Sequence, residues 1–215
     1  MELKLLFSGG WYMSLVIRKI EENDYKDVEI LTREAFWNVY KPGCCEHLVV
    51  NNIHKDKKSI EDLELVALYD NKIIGHIVCT KGQVKGVDNE TFITFGPLSI
   101  MPEFQGNGIG SKLISISLQK ATRLGYSAVL ITGDDNYYTR FGFEPASKYG
   151  IHMEGIPVED EAPFFMVKVL KEGALDNING YYVFDDCYNV SDDEVDEFDK
   201  EFTPKVKEVR EGQLF

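Results

Sequence analysis

An apolar run from Leu15 to Ile17 ends in Arg18 and Lys19, which predicts a strand. Asn23 or Asp24 can cap a helix whose apolar members Val28, Leu31 and Ala35 recur at helical spacing to about Phe36. Pro42-Gly43 breaks the chain, and a second helix is expected over residues 46–54, with Leu48 and Ile53 on its inner face. Residues 64–69 and 73–80, joined at Asp70-Asn71-Lys72, read as a β-hairpin. Residues 91–100 form the next predicted strand. Proline has no N–H to give a ladder, so Pro97 should leave this strand bulged or splayed. A helix follows over residues 108–124, stopped by Gly125. Then come a short buried strand at 128–132, a capped turn at Gly133-Asp134-Asp135, a short helix at 137–141 ended by Gly142, and a strand at 164–170. This order predicts an α/β (α+β) domain, a mixed sheet flanked by helices.

The two ends stand apart from residues 13–170. Met13-Ser14-Leu15 looks like a second start, and Ser8-Gly9-Gly10 could be encoded by a ribosome-binding sequence just upstream. Residues 1–12 are therefore expected to be a non-native N-terminal extension, the alternative being an extra strand. At the other end, residues 171–215 read as a tail. A strand is expected at 181–184, and Val195, Phe198 and Phe202 are spaced for an amphipathic helix that packs back on the domain.

Charge changes the picture more than composition does. The 215 residues carry a net charge of −13. Such a chain is a poor partner for phosphate backbones or anionic membranes, and it would attract cationic small molecules or peptides. Between Asp185 and Phe202 there are nine acidic residues and one lysine, so most of the excess lies in the tail, either as a solvated helix face or as an acidic docking surface. Cys44, Cys45, Cys79 and Cys187 have no zinc-like spacing, and the four histidines make no metal motif. With cysteine this sparse, a reduced, cytoplasmic compartment is expected and no metal is. No apolar run approaches the ~20 residues of a membrane helix.

The densest chemistry lies in Gln105-Gly106-Asn107-Gly108-Ile109-Gly110-Ser111, between a predicted strand and a helix. Closely spaced glycines let the backbone approach a ligand, and the free N–H groups of a helix N-terminus favour an anion. A phosphate or pyrophosphate is the obvious ligand group. A Walker loop would need Gly-Lys-Ser/Thr, whereas Gly110-Ser111-Lys112 has the wrong order. A dinucleotide fingerprint would need a third glycine where Ser111 stands, and an acid at the end of the next strand. A tight turn without a ligand is the bland alternative.

In its wider context, the stretch from Gly96 through Gln105 to Gly110 resembles the acetyl-coenzyme A site of the GNAT N-acetyltransferase superfamily. Gln105, Gly108 and Gly110 meet its Gln/Arg-x-x-Gly-x-Gly/Ala signature, and residues 137–145, Tyr-Tyr-Thr-Arg-Phe-Gly-Phe-Glu-Pro, look like its later motif. The resemblance covers about residues 15–170. Phe36-Trp37 through Pro42 to His47, with the acidic tail, resembles a bacterial subgroup of predicted acetyltransferases.

The resemblance implies a GNAT fold with a mostly antiparallel sheet splayed at the acetyl-CoA strand. It also implies acetyl-CoA as cosubstrate and direct attack of an amine on the thioester. The pyrophosphate would lie on Gln105, Gly106, Asn107, Gly108, Ile109, Gly110 and Ser111. The pantetheine arm would pair with Leu98, Ser99 and Ile100, with an N–H, that of Ile100, facing the thioester oxygen. Tyr138 aligns with the family's acid, and Glu46 and His47 are candidate bases. Glu103 and His76 are weaker candidates, and a covalent acetyl-cysteine at Cys44 or Cys45 is disfavoured. Transfer to a small amine, transfer to a protein N-terminus or lysine, and an acyl-CoA-binding module without turnover all stay open. A monomer or homodimer is expected.

Overall fold

The computed structural model describes residues 2–6, 12–87, 91–160 and 162–213. It divides into two compact units, and three elements, β4 (Lys72–Val84), β5 (Phe92–Ile100) and α3 (Ile109–Arg123), run through both.

The first unit takes in the chain to Val78, Pro97–Ile114, and everything from Asp186 onward. Its sheet is antiparallel. β1 (Glu2–Leu6) pairs with β2 (Tyr12–Lys19), β2 with β3 (Leu65–Tyr69), and β3 with β4. Residues 2–6 of the expected extension thus form an edge strand, while Ser8, Gly9 and Gly10 lie outside the described residues. The β3–β4 hairpin turns on Asp70 and Asn71, with φ of 47° and 61°. Consecutive left-handed residues of this kind suit a two-residue hairpin loop, because their twist matches that of the strands.

Helix α1 (Tyr25–Phe36) packs against α2 (Glu46–Lys55). Asp24 occupies the N-cap position of α1, but its side chain makes no cap bond there. Its carboxylate instead accepts two hydrogen bonds from Arg18, at 2.6 and 2.9 Å, and one from the backbone of Glu21. These bonds, Arg18 foremost, hold the Asp24 carboxyl below the ordinary carboxylate range. Val28, Val50 and Val66 bring α1, α2 and β3 into one buried cluster.

The second unit is mixed. β5 pairs parallel with β6 (Ala128–Thr132), β6 antiparallel with β9 (Phe165–Val169), and β9 with the two-residue β7 (Glu144–Pro145). β10 (Gly180–Val183) joins the end of β4 and lies parallel to β8 (Ile151–Met153). The β5–β6 ladder covers Phe92–Thr94 with Ala128–Leu130 and stops there, and Gly96 turns with φ +132° just before Pro97. The interruption expected at the proline is present. Phe92, Leu130, Phe165, Val167 and Tyr182 form the core, and Tyr182 Oη lies 2.8 Å from Thr94 Oγ1.

The tail does not behave as one piece. Residues 171–185 belong with the second unit and those from Asp186 with the first. Its helix, α5 (Asp192–Asp199), is capped by Ser191 and Glu194, each bonding back to the other's backbone. The expected stripe is shorter than the spacing suggests: α5 ends at Asp199, and Phe202 lies in the turn after it. No helix among the described residues is long and apolar enough to cross a membrane.

Candidate active site

In the first unit, β5 delivers the chain through a short 3-10 turn (Pro102–Phe104) to residues 105–111 and into α3. Side-chain amides tie down the carbonyl oxygens of this connection. Gln105 Nε2 donates to Ile100 O at 3.0 Å, and Asn107 Nδ2 donates to Phe104 O at 3.2 Å and Gln105 O at 2.9 Å. Oxygens that would repel an anion are thereby occupied inside the turn.

Gly106 and Gly108 take φ of 76° and 79°, and a Cβ added at either would meet no atom within 4 Å. Neighbouring side chains therefore do not demand glycine at these positions. The backbone conformation does, since an L-residue there costs roughly 1–2 kcal/mol. The turn opens outward, with Gln105, Gly106 and Gly108 exposed, while Ile109 and Gly110 are buried as α3 begins. The first turn of any helix leaves N–H groups without intrahelical acceptors, and the helix dipole adds positive potential there. Such a turn can take a phosphate.

On β5, side chains alternate. Ser99 is fully buried and donates to Thr32 Oγ1 on α1 at 2.9 Å, whereas Leu98 and Ile100 are half-buried. Ser99 is thus held by its side chain, and whatever it offers a ligand must come from its backbone. Glu103 is exposed on the 3-10 turn.

Glu46 and His47 open α2 but differ in surroundings. Glu46 accepts a hydrogen bond from the backbone N–H of Cys45 at 2.9 Å, and burial raises its carboxyl above the ordinary value despite that bond. The residue as a whole is half-buried. His47 is completely buried. Its ring packs between Phe198 and Phe202, with Nδ1 3.4 Å from Cys44 Sγ. Nε2 lies 3.3 Å from Asp199 Oδ1 but off the line of a hydrogen bond. Burial outweighs the nearby carboxylate and lowers the imidazole to about 4. Cys44 is buried, and burial drives its thiol far up; Cys45 rises to about 11 for the same reason. Neither is an activated nucleophile.

In the second unit, Tyr138 closes α4 (Asp135–Tyr138), a single turn capped by Asp134, whose side chain accepts from the backbone of Asn136. The Tyr138 ring meets Phe95, Tyr137 and Phe143 edge-on. Gly133 makes room for it: a Cβ there would come within 2.5 Å of Tyr138 Cε2. The tyrosine is therefore held by its ring.

Comparison with known proteins places this arrangement. Residues 29–143 match the model of the acetyltransferase (GNAT) family, a span that contains the glycine turn and Tyr138. The chain belongs to that family. Among curated relatives, the uncharacterized N-acetyltransferase YjhQ of Escherichia coli K12 is 32% identical over 114 residues, 53% of this chain and 63% of that protein. The uncharacterized N-acetyltransferase YhbS of the same organism is 26% identical over 167 residues, 77% of this chain and 93% of that protein. The crystal structure of E. coli YhbS in complex with CoA shares the fold, with TM-score 0.74 at 24% identity over 83% of this chain and 93% of the other. A GNAT acetyltransferase of Brucella melitensis in complex with acetyl-CoA gives TM-score 0.66 at 25% identity, over 81% of this chain and 97% of the other. The protein has the GNAT fold and is an acetyltransferase with acetyl-CoA as its cosubstrate.

The loop between α1 and α2 of this GNAT chain carries no motif that marks its role. It is organised by Asn38 (φ 59°), which is buried and whose Oδ1 accepts from the backbones of Gly43 and Glu208. An asparagine suited to the left-handed region is the local signal for it, but one of its partners lies 170 residues away.

Proposed function

We propose that this GNAT enzyme acetylates a primary amine, carried by a small cationic molecule or peptide, by direct attack on the thioester. The observation that carries this reading is the open turn at Gly106 and Gly108, with its carbonyls occupied by Gln105 and Asn107. The pyrophosphate of acetyl-CoA would lie on residues 105–111, and its pantetheine arm along the backbone of Leu98, Ser99 and Ile100. The N–H of Ile100 would steady the developing oxyanion.

An amine must lose a proton before it attacks. Glu46 is the better of the two candidate bases. Its raised carboxyl brings proton affinity closer to neutral pH, and the residue is half-buried where His47 is fully covered. His47, sealed under two phenylalanines, is assigned instead to holding α2 against the C-terminal segment. Tyr138 would protonate the departing thiolate.

Free-thiol release from acetyl-CoA across amines, polyamines, aminoglycosides and peptides tests the reading. Turnover with a small amine or polyamine supports it. Turnover with peptides alone would narrow the acceptor to a protein N-terminus or lysine. Tight acetyl-CoA binding without turnover on any acceptor would make this a binding module. Tyr138→Phe should lower kcat by no more than about 100-fold, the low end for a positioned acid. Coenzyme A affinity should be nearly unchanged. An equal loss with every acyl donor, whatever its thiol acidity, would leave Tyr138 as a wall of the site.

A further inference from the structure

The first unit buries three matched groups that the acetyl-transfer chemistry does not use. His54 comes from the last turn of α2, Glu64 from the residue before β3, and His76 from the middle of β4. Nε2 of His54 lies 2.6 Å from Oε1 of Glu64, and Nε2 of His76 lies 3.0 Å from the same oxygen. The three side chains are 4%, 1% and 0% exposed, which places the whole cluster out of water.

Hydrogen bonding leaves this cluster unfinished. Nδ1 of each histidine and Oε2 of Glu64 are buried and have no partner. A buried carboxylate also needs compensating charge, because leaving one alone in the interior is costly. Arg18, the cation near Asp24, is already engaged by that carboxylate at 2.6 and 2.9 Å.

Imidazole nitrogen and carboxylate oxygen are the donor set of zinc-class ions, with bonds of about 2.0–2.2 Å. The donor atoms here lie within 4.8 Å of one another, close enough to surround one such ion. The unpartnered second oxygen of Glu64 can complete a four-coordinate N2O2 set. The ring of Tyr25 stacks on His54 at 3.8 Å with planes 10° apart, which fixes the orientation of that imidazole. We propose that His54, Glu64 and His76 form a structural binding site for a zinc-class divalent ion that fastens α2 to the β3–β4 hairpin. The ligands are dispersed along the chain and come from three elements, so their spacing matches no motif.

The test is metal analysis of the full-length protein, made without a histidine tag and purified without chelator. One equivalent of zinc per chain is expected. Chelator should lower the melting temperature, and zinc should restore it where magnesium does not. Cobalt in place of zinc should give the d–d absorption of a four-coordinate site. Glu64→Gln keeps the side chain's shape and a hydrogen-bond acceptor, so it should stay folded but bind neither ion. His54→Asn is a second variant, with the same expected loss. A chain that purifies without metal and whose melting temperature ignores added zinc and cobalt would overturn the proposal. So would zinc retained at full stoichiometry by Glu64→Gln. A thiolate-to-cobalt charge-transfer band would overturn it too, by placing the ion on cysteine.

Discussion

The glycine turn at residues 105–111 and the C-terminal segment from Asp186 belong to the same unit but are ordered by opposite means. The turn is set by contacts a few residues apart: Gln105 to Ile100, Asn107 to Phe104 and Gln105. It faces outward, and a Cβ at Gly106 or Gly108 would meet nothing. The C-terminal segment is set by contacts across some 170 residues of sequence. Arg33 donates to both oxygens of Asp199 at 2.6 and 3.0 Å, and Trp37 Nε1 and Asn38 Nδ2 both donate to Val206 O at 3.0 Å. Lys26 pairs with Glu201, Lys41 with Asp192, and Lys205 with Glu34. Most of the acidic stretch is a solvated helix face, with Asp192, Asp193, Glu194, Asp196 and Glu197 exposed, while Asp199 is turned inward to Arg33. The turn is thus ordered by its own side-chain amides, and the C-terminal segment by residues of α1 and the loop after it.

That contrast predicts a division of mutant effects. The largest is expected in the turn. Gly108→Val puts a β-branched side chain at φ +79° and into the space proposed for the pyrophosphate. Calorimetry should detect no coenzyme A binding, while the melting temperature falls by only a few degrees, the cost of about 1–2 kcal/mol for an L-residue in the left-handed region. Wild-type affinity would break the comparison. In the C-terminal segment the readouts should reverse. Arg33→Ala leaves Asp199 uncompensated, and breaking such a buried pair costs about 3–5 kcal/mol. Chemical denaturation should show that loss for Arg33→Ala, and a smaller one for Asp199→Asn, with the coenzyme A affinity of the folded protein unchanged.

The pH dependence sharpens the same point. Folding lowers His47 from 6.5 to about 4, so the unfolded chain takes up this proton first. Its contribution is intact above about pH 6.5 and is lost as pH falls toward 4, on the order of 3 kcal/mol in all. Stability curves of the wild type and His47→Met should diverge in that window, and parallel curves would mean that His47 is not buried neutral. The smallest effect is expected at Val206 and Val209, both 75% exposed. The carbonyl of Val206, not its side chain, holds the segment down. Val206→Ser and Val209→Ser should change stability by no more than about 0.5 kcal/mol.

Much of the site is legible in short stretches of sequence. The glycine pattern locates the turn, Pro97 marks the interrupted strand, and Asp134 and Gly142 bracket the helix that carries Tyr138. Each is a local conformational rule, expressed within a few residues of where it acts. The edge strand at residues 2–6 and the short β7 and β8 are not legible in this way, because two to five residues carry too little periodicity without their partners. Spacing puts Phe202 on one helix with Val195 and Phe198, but spacing alone cannot show where a helix ends. That helix has no cation in its last turn and stops at Asp199, whose side chain is held by Arg33.

By itself, then, the sequence determined what depends on local backbone preference and periodicity: the succession of strands and helices, the glycine turn before α3, and through their combination the GNAT family. Tertiary structure decided which ionisable groups keep water and which lose it. Glu46 and His47 are neighbours in sequence, yet one is half-buried at the start of α2 and the other is sealed beneath Phe198 and Phe202. His54, Glu64 and His76 become a cluster only when α2 lies on the hairpin. The physical reason is that desolvation and pairing depend on what lies within a few ångströms in space, and only the fold brings distant residues to that range.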